Sequence, residues 1–179
     1  MNSDEALYAR VKRGDMRAFD ELYARYASRL FGFLRPQLPT RADAEDVFHE
    51  SLLATLESVE VTFHRGSFRT WLYRIARNRV LNRQRSHGRG QTALARLAPL
   101  EETPAGPDER LARGELLRAL DGAVARLPSP LSEVYHLRSS GLSYDEMALV
   151  LGIPLGTLKS RMNQMVNVLR QELEPWTAR

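Results

Sequence analysis

Three carboxylates in the stretch DAEDVFHESL, Asp43, Asp46 and Glu50, fall at i, i+3 and i+7 and therefore share one face of a helix. Carboxylates grouped in this way act as acid and base, bind a metal, or form a docking face for another protein. No nucleophile, histidine or glycine-rich phosphate loop converges with them, so the spacing points to an acidic docking surface rather than to catalysis. Histidines at 49, 64, 87 and 136 lack metal-ligand spacing, and the absence of cysteine removes thiolate sites, disulfides and thiol redox sensing. No catalytic residue, metal or cofactor is expected.

A second constellation lies in HRGSFRTWLYRIARNRVLNRQR. Between Val61 and Leu100 there is no Asp or Glu, while arginine stands at 65, 69, 74, 77, 79, 83, 85, 89 and 96. Guanidinium groups neutralise phosphates, and Phe63, Phe68, Trp71 and Tyr73 are the types that stack on unpaired bases, so the mixture suits an opened nucleic-acid strand better than a closed duplex. Phe68 is expected in the core; Trp71 is divided between core and stacking. A merely solvated helix face would carry compensating carboxylates, and this stretch has none of its own.

The third, GLSYDEMALVLGIPLGTLKSRM, holds two short helices around a break. Ser143 and Glu146 form a capping box, Met147, Leu149, Val150 and Leu151 an apolar stripe, Gly152 a left-handed C-cap, and Pro154 a helix start. In the next helix Leu155, Leu158, Met162, Met165, Val166, Leu169 and Leu173 define a buried face. Gly156, Ser160, Asn163, Gln164 and Asn167 lie opposite, with Lys159, Arg161 and Arg170 at the margins. Two helices joined by a tight glycine turn make a helix-turn-helix, whose second helix reads base edges in a major groove, although an ordinary αα-corner has the same pattern.

Positioning these groups requires an all-α protein, since no segment alternates with a period of two for long. Helices are expected from Ser3 to about Leu34 with a break near Gly14 and Asp15, from Asp43 to Val59, and from Phe68 to about Arg85, the last burying Phe68, Leu72, Ile75, Ala76 and Val80. Arg74, Arg77 and Arg85 should face outward, with Trp71 and Tyr73 flanking the stripe. The glycine- and proline-rich stretch SHGRGQTALARLAPLEETPAGP reads as a flexible linker. A four-helix unit follows, with helices from Asp108 to Leu127, burying Leu111, Leu116, Leu117, Leu120 and Val124, and from Leu131 to Arg138, and then the helix-turn-helix pair. The expected division is 1–86, a linker 87–107, and 108–179.

The 179 residues carry a formal net charge of +4, with 43% hydrophobic residues. Residues 1–60 hold eleven carboxylates against eight cations, so charge is blocked along the chain and two different partners are plausible. There is no run of about eighteen apolar residues and the N-terminus is polar, which argues against a membrane span or signal peptide and for the cytoplasm.

Together the three motifs resemble the extracytoplasmic-function (ECF) sigma factors, the small sigma-70 type built from regions 2 and 4 alone. DAEDVFHESL resembles the family's polymerase-binding helix, SFRTWLYRIARN its melting and −10 helix, and GLSYDEMALVLGIPLGTLKSR its −35 helix-turn-helix, in that order, over the chain from about Phe19 to Leu173 without the linker. The resemblance implies a transcription initiation factor that gives core RNA polymerase its promoter specificity. It implies polymerase contacts by Asp43, Asp46, Val47 and Glu50. It assigns −10 DNA to Phe63, His64, Arg65, Ser67, Arg69, Trp71, Tyr73, Arg74, Arg77, Asn78 and Arg85, with the loop from Val61 to Ser67 cradling a base flipped from the non-template strand. It assigns −35 DNA to Tyr144, Thr157, Lys159, Ser160, Arg161, Asn163, Gln164 and Asn167. Family members usually carry more arginines where this chain has Asn163, Gln164, Met165 and Val166; amides pair with adenine where arginine prefers guanine, so an altered −35 preference is expected. The chain ends close to its last expected helix, without a sensing extension, which points to regulation by a separate anti-sigma factor.

Three other readings are open to the residues. A conventional helix-turn-helix regulator would explain Gly141 to Leu173 but not the acid-free arginine helix. An enzyme acting through the carboxylates near Asp43 lacks a convergent metal set, and a purely interactional protein would leave the charged DNA faces idle.

Overall fold

The computed structural model describes residues 2–58, 66–87 and 107–177. The expected linker falls almost wholly outside the described residues, as do Phe63, His64 and Arg65. Among the described residues the chain is helical: α1 Asp4–Val11, α2 Met16–Leu34 with a 3-10 turn Arg35–Gln37, α3 Arg41–Glu57, α4 Phe68–His87, α5 Pro107–Ala125, α6 Ser129–Ser139, α7 Tyr144–Leu151 and α8 Leu155–Thr177. The expected breaks hold, with small shifts at the ends. The third helix begins at Arg41 rather than Asp43, because the Thr40 hydroxyl accepts from the Asp43 N–H and caps it.

Helices α1 to α4 pack as one lobe around Leu7, Leu30, Phe33, Leu34, Leu38, Phe68, Leu72 and Tyr73. Contacts from α1 and its C-cap residue Lys12 hold the other helices in place. The Glu5 carboxylate accepts from the Phe68 N–H at 2.9 Å, capping α4 from sixty-three residues away, and the Tyr8 hydroxyl donates to the Thr55 carbonyl at 3.0 Å. Lys12 donates to the Leu56 and Ser58 carbonyls at the C-terminus of α3, where the helix dipole favours a cation. Gly66 precedes α4 at φ 150°, and a Cβ there would stand 2.5 Å from Thr70 Oγ1, the atom that accepts from the Ser67 N–H and donates to the Ser67 carbonyl. Only glycine permits that tight helix start.

Helices α5 to α8 pack as a second lobe around Val124, Val134, Leu137, Leu142, Met147, Val150 and Leu158. Both arms of the Ser143–Glu146 capping box form, and Gly152 takes φ 67° at the C-cap of α7. The apolar pattern of α8 is narrower than its spacing suggests. Leu158, Met162 and Met165 are buried, but Leu155 and Val166 are exposed, since the neighbouring helices cover only the middle of the apolar face. Leu116 and Leu117 on α5 are exposed as well.

His136 is buried in this lobe, and desolvation pushes its pKa down to about 4. Its folded value lies below its unfolded value of roughly 6.5, so the contribution is complete above pH 6.5 and is lost as pH falls towards 4, when only the unfolded chain takes up the proton. Denaturant unfolding of the full chain should show the second lobe losing up to about 3 kcal/mol across that window, and His136→Gln should flatten the slope. An unchanged slope in the variant would assign the pH dependence elsewhere.

Candidate nucleic-acid interface

Helix α4 is the centre of the site. Its sequence supplies no acid, yet the fold brings carboxylates to it from elsewhere. On one side, Arg79 Nη1 lies 2.8 Å from Glu50 Oε2, and Arg83 lies 3.2 Å from Asp46 Oδ2 and 3.6 Å from Asp43 Oδ1. Asp43, Asp46 and Glu50 do share one face, but that face turns partly towards α4 and is neutralised there rather than standing as a bare acidic surface. Asp46, with 65% of its side chain exposed, is the most open of the three. Val47 does not belong to a docking surface: at 1% exposure it is a core residue, one step around the helix from the acids.

On the other side, α4 meets the second lobe. Arg69 Nη2 donates to the Ser140 carbonyl at 3.1 Å and Nη1 lies 3.6 Å from Glu146. Arg74 Nη2 donates to the Leu149 carbonyl at 2.9 Å, and Arg77 Nη2 lies 3.0 Å from both carboxylate oxygens of Glu133. Arg77 was expected to face outward; it is instead packed between the lobes. The expectation of an uncompensated arginine run is thereby corrected, because compensation comes through tertiary pairing that local sequence does not display.

The aromatic residues divide. Phe68 is core, and Trp71 is half-buried, its ring 5.3 Å from that of Tyr8 and 5.9 Å from that of Phe68. Tyr73 does not flank the stripe. It is fully buried, its ring 5.3 Å from Phe33, and burial raises its pKa, with the Ser140 side chain opposing that shift. In this arrangement it cannot stack on a base. Ser67 is occupied as a cap, its hydroxyl accepting from the Thr70 N–H at 3.3 Å. Asn78, Arg74 and Arg85 are exposed.

The helix-turn-helix face is open. Thr157, Lys159, Ser160, Asn163, Gln164 and Asn167 are all exposed along one side of α8, with Arg161 half-buried at its margin. Tyr144 is exposed at the start of α7, where the Arg138 guanidinium sits 5.8 Å from its ring centre. The sequence did not single out Arg29 and Arg25, which with Asp4, Tyr26, Ser28 and Arg69 line a pocket of about 480 Å³ beside the N-terminus of α4. They lie on α2, far in sequence from the basic stretch, and no local pattern marked them. Among the described residues no group of acids and histidines could hold a metal, and no helix is long and apolar enough to cross a membrane.

An arginine-rich helix in one helical lobe and a helix-turn-helix with an open polar face in the other are features of the two-lobed DNA-binding class. Residues 22–90 match the family description Sigma-70 region 2, and residues 117–164 match Sigma-70, region 4. The chain is 32% identical to the ECF RNA polymerase sigma-E factor of Haemophilus influenzae, over 97% of this chain and 96% of that one. It is 30% identical to the RNA polymerase sigma-H factor of Pseudomonas aeruginosa, over 96% and 94%. Its fold superposes on CnrH, solved in complex with the cytosolic domain of CnrY, with a TM-score of 0.71 and 25% identity over 97% and 99% of the two chains. The chain belongs to the ECF sigma factors of the sigma-70 family, and is a transcription initiation factor rather than an enzyme.

The division between packing and surface on α3 can be measured. Val47→Ala should cost about 2 kcal/mol through the cavity it leaves, whereas Asp46→Ala and Glu50→Ala, which break exposed ion pairs, should each stay within about 1 kcal/mol of the parent. Denaturant unfolding of the three variants checks this ordering.

Proposed function

We propose that α4, together with the segment before it, binds and holds open the −10 strand, that α8 reads the −35 element, and that the exposed part of the α3 acidic face docks on core RNA polymerase. The observation that carries this reading is the pairing of two chemistries in one chain: guanidinium groups with a half-buried indole on α4, and amides and hydroxyls on α8. Arg74, Asn78 and Arg85 supply exposed contacts to the strand, Trp71 a stacking edge, and Arg69 and Arg77 further phosphate contacts. Phe63, His64 and Arg65 complete the strand site. Flipping a base costs a few kcal/mol in unstacking, which phosphate neutralisation and stacking must offset.

On α8, Asn163 and Gln164 occupy the middle of the exposed face, where an amide can pair with both N6 and N7 of adenine. Lys159, Ser160, Arg161 and Thr157 fix the helix on the backbone, with Tyr144 at the support helix and Asn167 one turn on. Asp43, Asp46 and Glu50 form the polymerase face. Val47 supports that face from the core. The lobes correspond to functional units at 1–86 and 108–179, joined by 87–107. A separate anti-sigma factor is the expected regulator; the similar structure CnrH was itself solved in complex with another chain, the cytosolic domain of CnrY. The protein acts in the cytoplasm with its polymerase. A conventional regulator using the second lobe alone would leave α4 without a role.

Run-off transcription from a genomic fragment library, with purified core polymerase and with or without this protein, tests the reading. New transcripts should start at a fixed distance from a shared two-part motif. Gln164→Ala should relax the upstream half of that motif, losing about 1 to 3 kcal/mol of discrimination at a single base pair. A stable dimer that protects a palindrome without polymerase, and yields no new starts, would contradict it.

A further inference from the structure

Helix α1 lies ahead of residues 22–90, the part of the chain that matches Sigma-70 region 2, and yet its polar side chains reach both ends of the segment assigned above to the flipped base. On the α3 side, the Tyr8 hydroxyl donates to the Thr55 carbonyl at 3.0 Å, and the Lys12 ammonium donates to the Leu56 carbonyl at 3.0 Å and to the Ser58 carbonyl. On the α4 side, Glu5 Oε1 accepts from the Phe68 N–H at 2.9 Å. Glu5 and Lys12 stand seven positions apart, about 10 Å along a helix axis, so α1 is a rod of fixed length between the two ends.

This rod is itself held. The Asp4 carboxylate accepts from Arg25 Nη1 at 2.7 Å and from the Tyr26 hydroxyl, which anchors the start of α1 on α2. The Glu5 bond also goes beyond what α4 requires to begin as a helix. Ser67 and Thr70 already exchange local caps there, Thr70 Oγ1 accepting from the Ser67 N–H at 2.9 Å and the Ser67 hydroxyl accepting from the Thr70 N–H at 3.3 Å. A carboxylate supplied from sixty-three residues away satisfies one further amide, and it fixes where α4 begins relative to α1. Tyr8 extends the control to the proposed stacking residue, since its ring meets Trp71 edge-on at 5.3 Å and Phe68 at 5.4 Å.

We infer that α1 sets the strand-binding end of α4 for promoter opening, with Glu5 and Lys12 as positioning residues and Tyr8 as the side chain that orients Trp71. The inference rests on the assignment of α4 and the segment before it to the −10 strand. Each of the three acts through the backbone or ring it holds: Glu5 through the Phe68 amide, Lys12 through the last carbonyls of α3, and Tyr8 through Thr55 and the indole. An opened strand is captured only where phosphate and stacking contacts are met together, and a displacement of about 1 Å in the supporting groups is enough to lose that fit.

The test uses the full chain with core polymerase on a promoter it selects, and reads permanganate-reactive thymines at the −10 element, protection at the −35 element, and polymerase affinity. Glu5→Ala should lower −10 reactivity at least about tenfold, while −35 protection and polymerase affinity stay within about twofold of the parent. Glu5→Gln, whose amide oxygen still accepts from the Phe68 N–H, should recover reactivity to within about threefold of the parent. Lys12→Met, at an exposed position that leaves the core intact, should lower reactivity about threefold. Leu30→Val, a core change that leaves the polar contacts of α1 in place, should open the promoter as the parent does. Full reactivity in Glu5→Ala and Lys12→Met would overturn the role of α1 and leave α4 at the −10 strand. Parallel loss of all three readouts in both variants, or a loss in Leu30→Val equal to that in Glu5→Ala, would reduce α1 to a general stabiliser and overturn the inference as well. A parent that protects the −35 element with polymerase yet shows no reactive −10 thymines would overturn the reading of α4 itself.

Discussion

The guanidinium groups of α4 must find anions, and most of the structure follows from where they find them. A helix with arginine at 69, 74, 77, 79, 83 and 85 and no acid of its own repels itself and is poorly suited to stand alone. Its apolar side fixes it in the first lobe through Phe68, Leu72, Ala76 and Val80. Its charged sides then organise the neighbours: α3 lies so that Glu50, Asp46 and Asp43 meet Arg79 and Arg83, and the second lobe lies so that Glu133, Glu146 and two carbonyls meet Arg77, Arg69 and Arg74. Each of these pairs is at least partly solvated, so none is worth much alone. Together they set the geometry around a helix that is proposed to meet a DNA strand.

Local patterns were legible wherever a short-range rule decides. The capping box at Ser143, the left-handed turn at Gly152 and the periodicity of α4 all followed from contacts within four or five residues. The apolar stripes were overread where burial depends on which neighbour happens to cover a residue: Leu155, Val166, Leu116 and Leu117 keep helical spacing but face outward. The same limit governs the site. Exposed polar positions on α8 were identifiable because they oppose a strong apolar face, whereas the burial of Tyr73 and Val47, and the pairing of Arg77 with a residue fifty-six positions away, are tertiary facts. The contribution of α1 was missed altogether. Glu5 and Tyr8 sit in a short helix with Lys12 at its C-cap, and nothing in their spacing shows that they cap α4 and tie down the end of α3.

The two lobes reach DNA by different physics. The face of α8 offers amides and hydroxyls that distinguish base edges in a closed groove, while α4 offers charge and an aromatic edge suited to a strand that has left the duplex. One fold thus separates address from opening. Arg69, Arg74 and Arg77, proposed as strand contacts, are also paired with oxygens of the second lobe.

The central claim is that α4 opens the promoter while α8 addresses it. Permanganate mapping of unpaired thymines, in complexes of core polymerase, this protein and a promoter it selects, tests that claim most directly when paired with footprinting of the upstream element. With Arg74→Ala and Asn78→Ala combined, the account predicts that reactivity at the −10 element disappears while protection at the −35 element persists. Loss of both signals together, or full reactivity in the double variant, would contradict it.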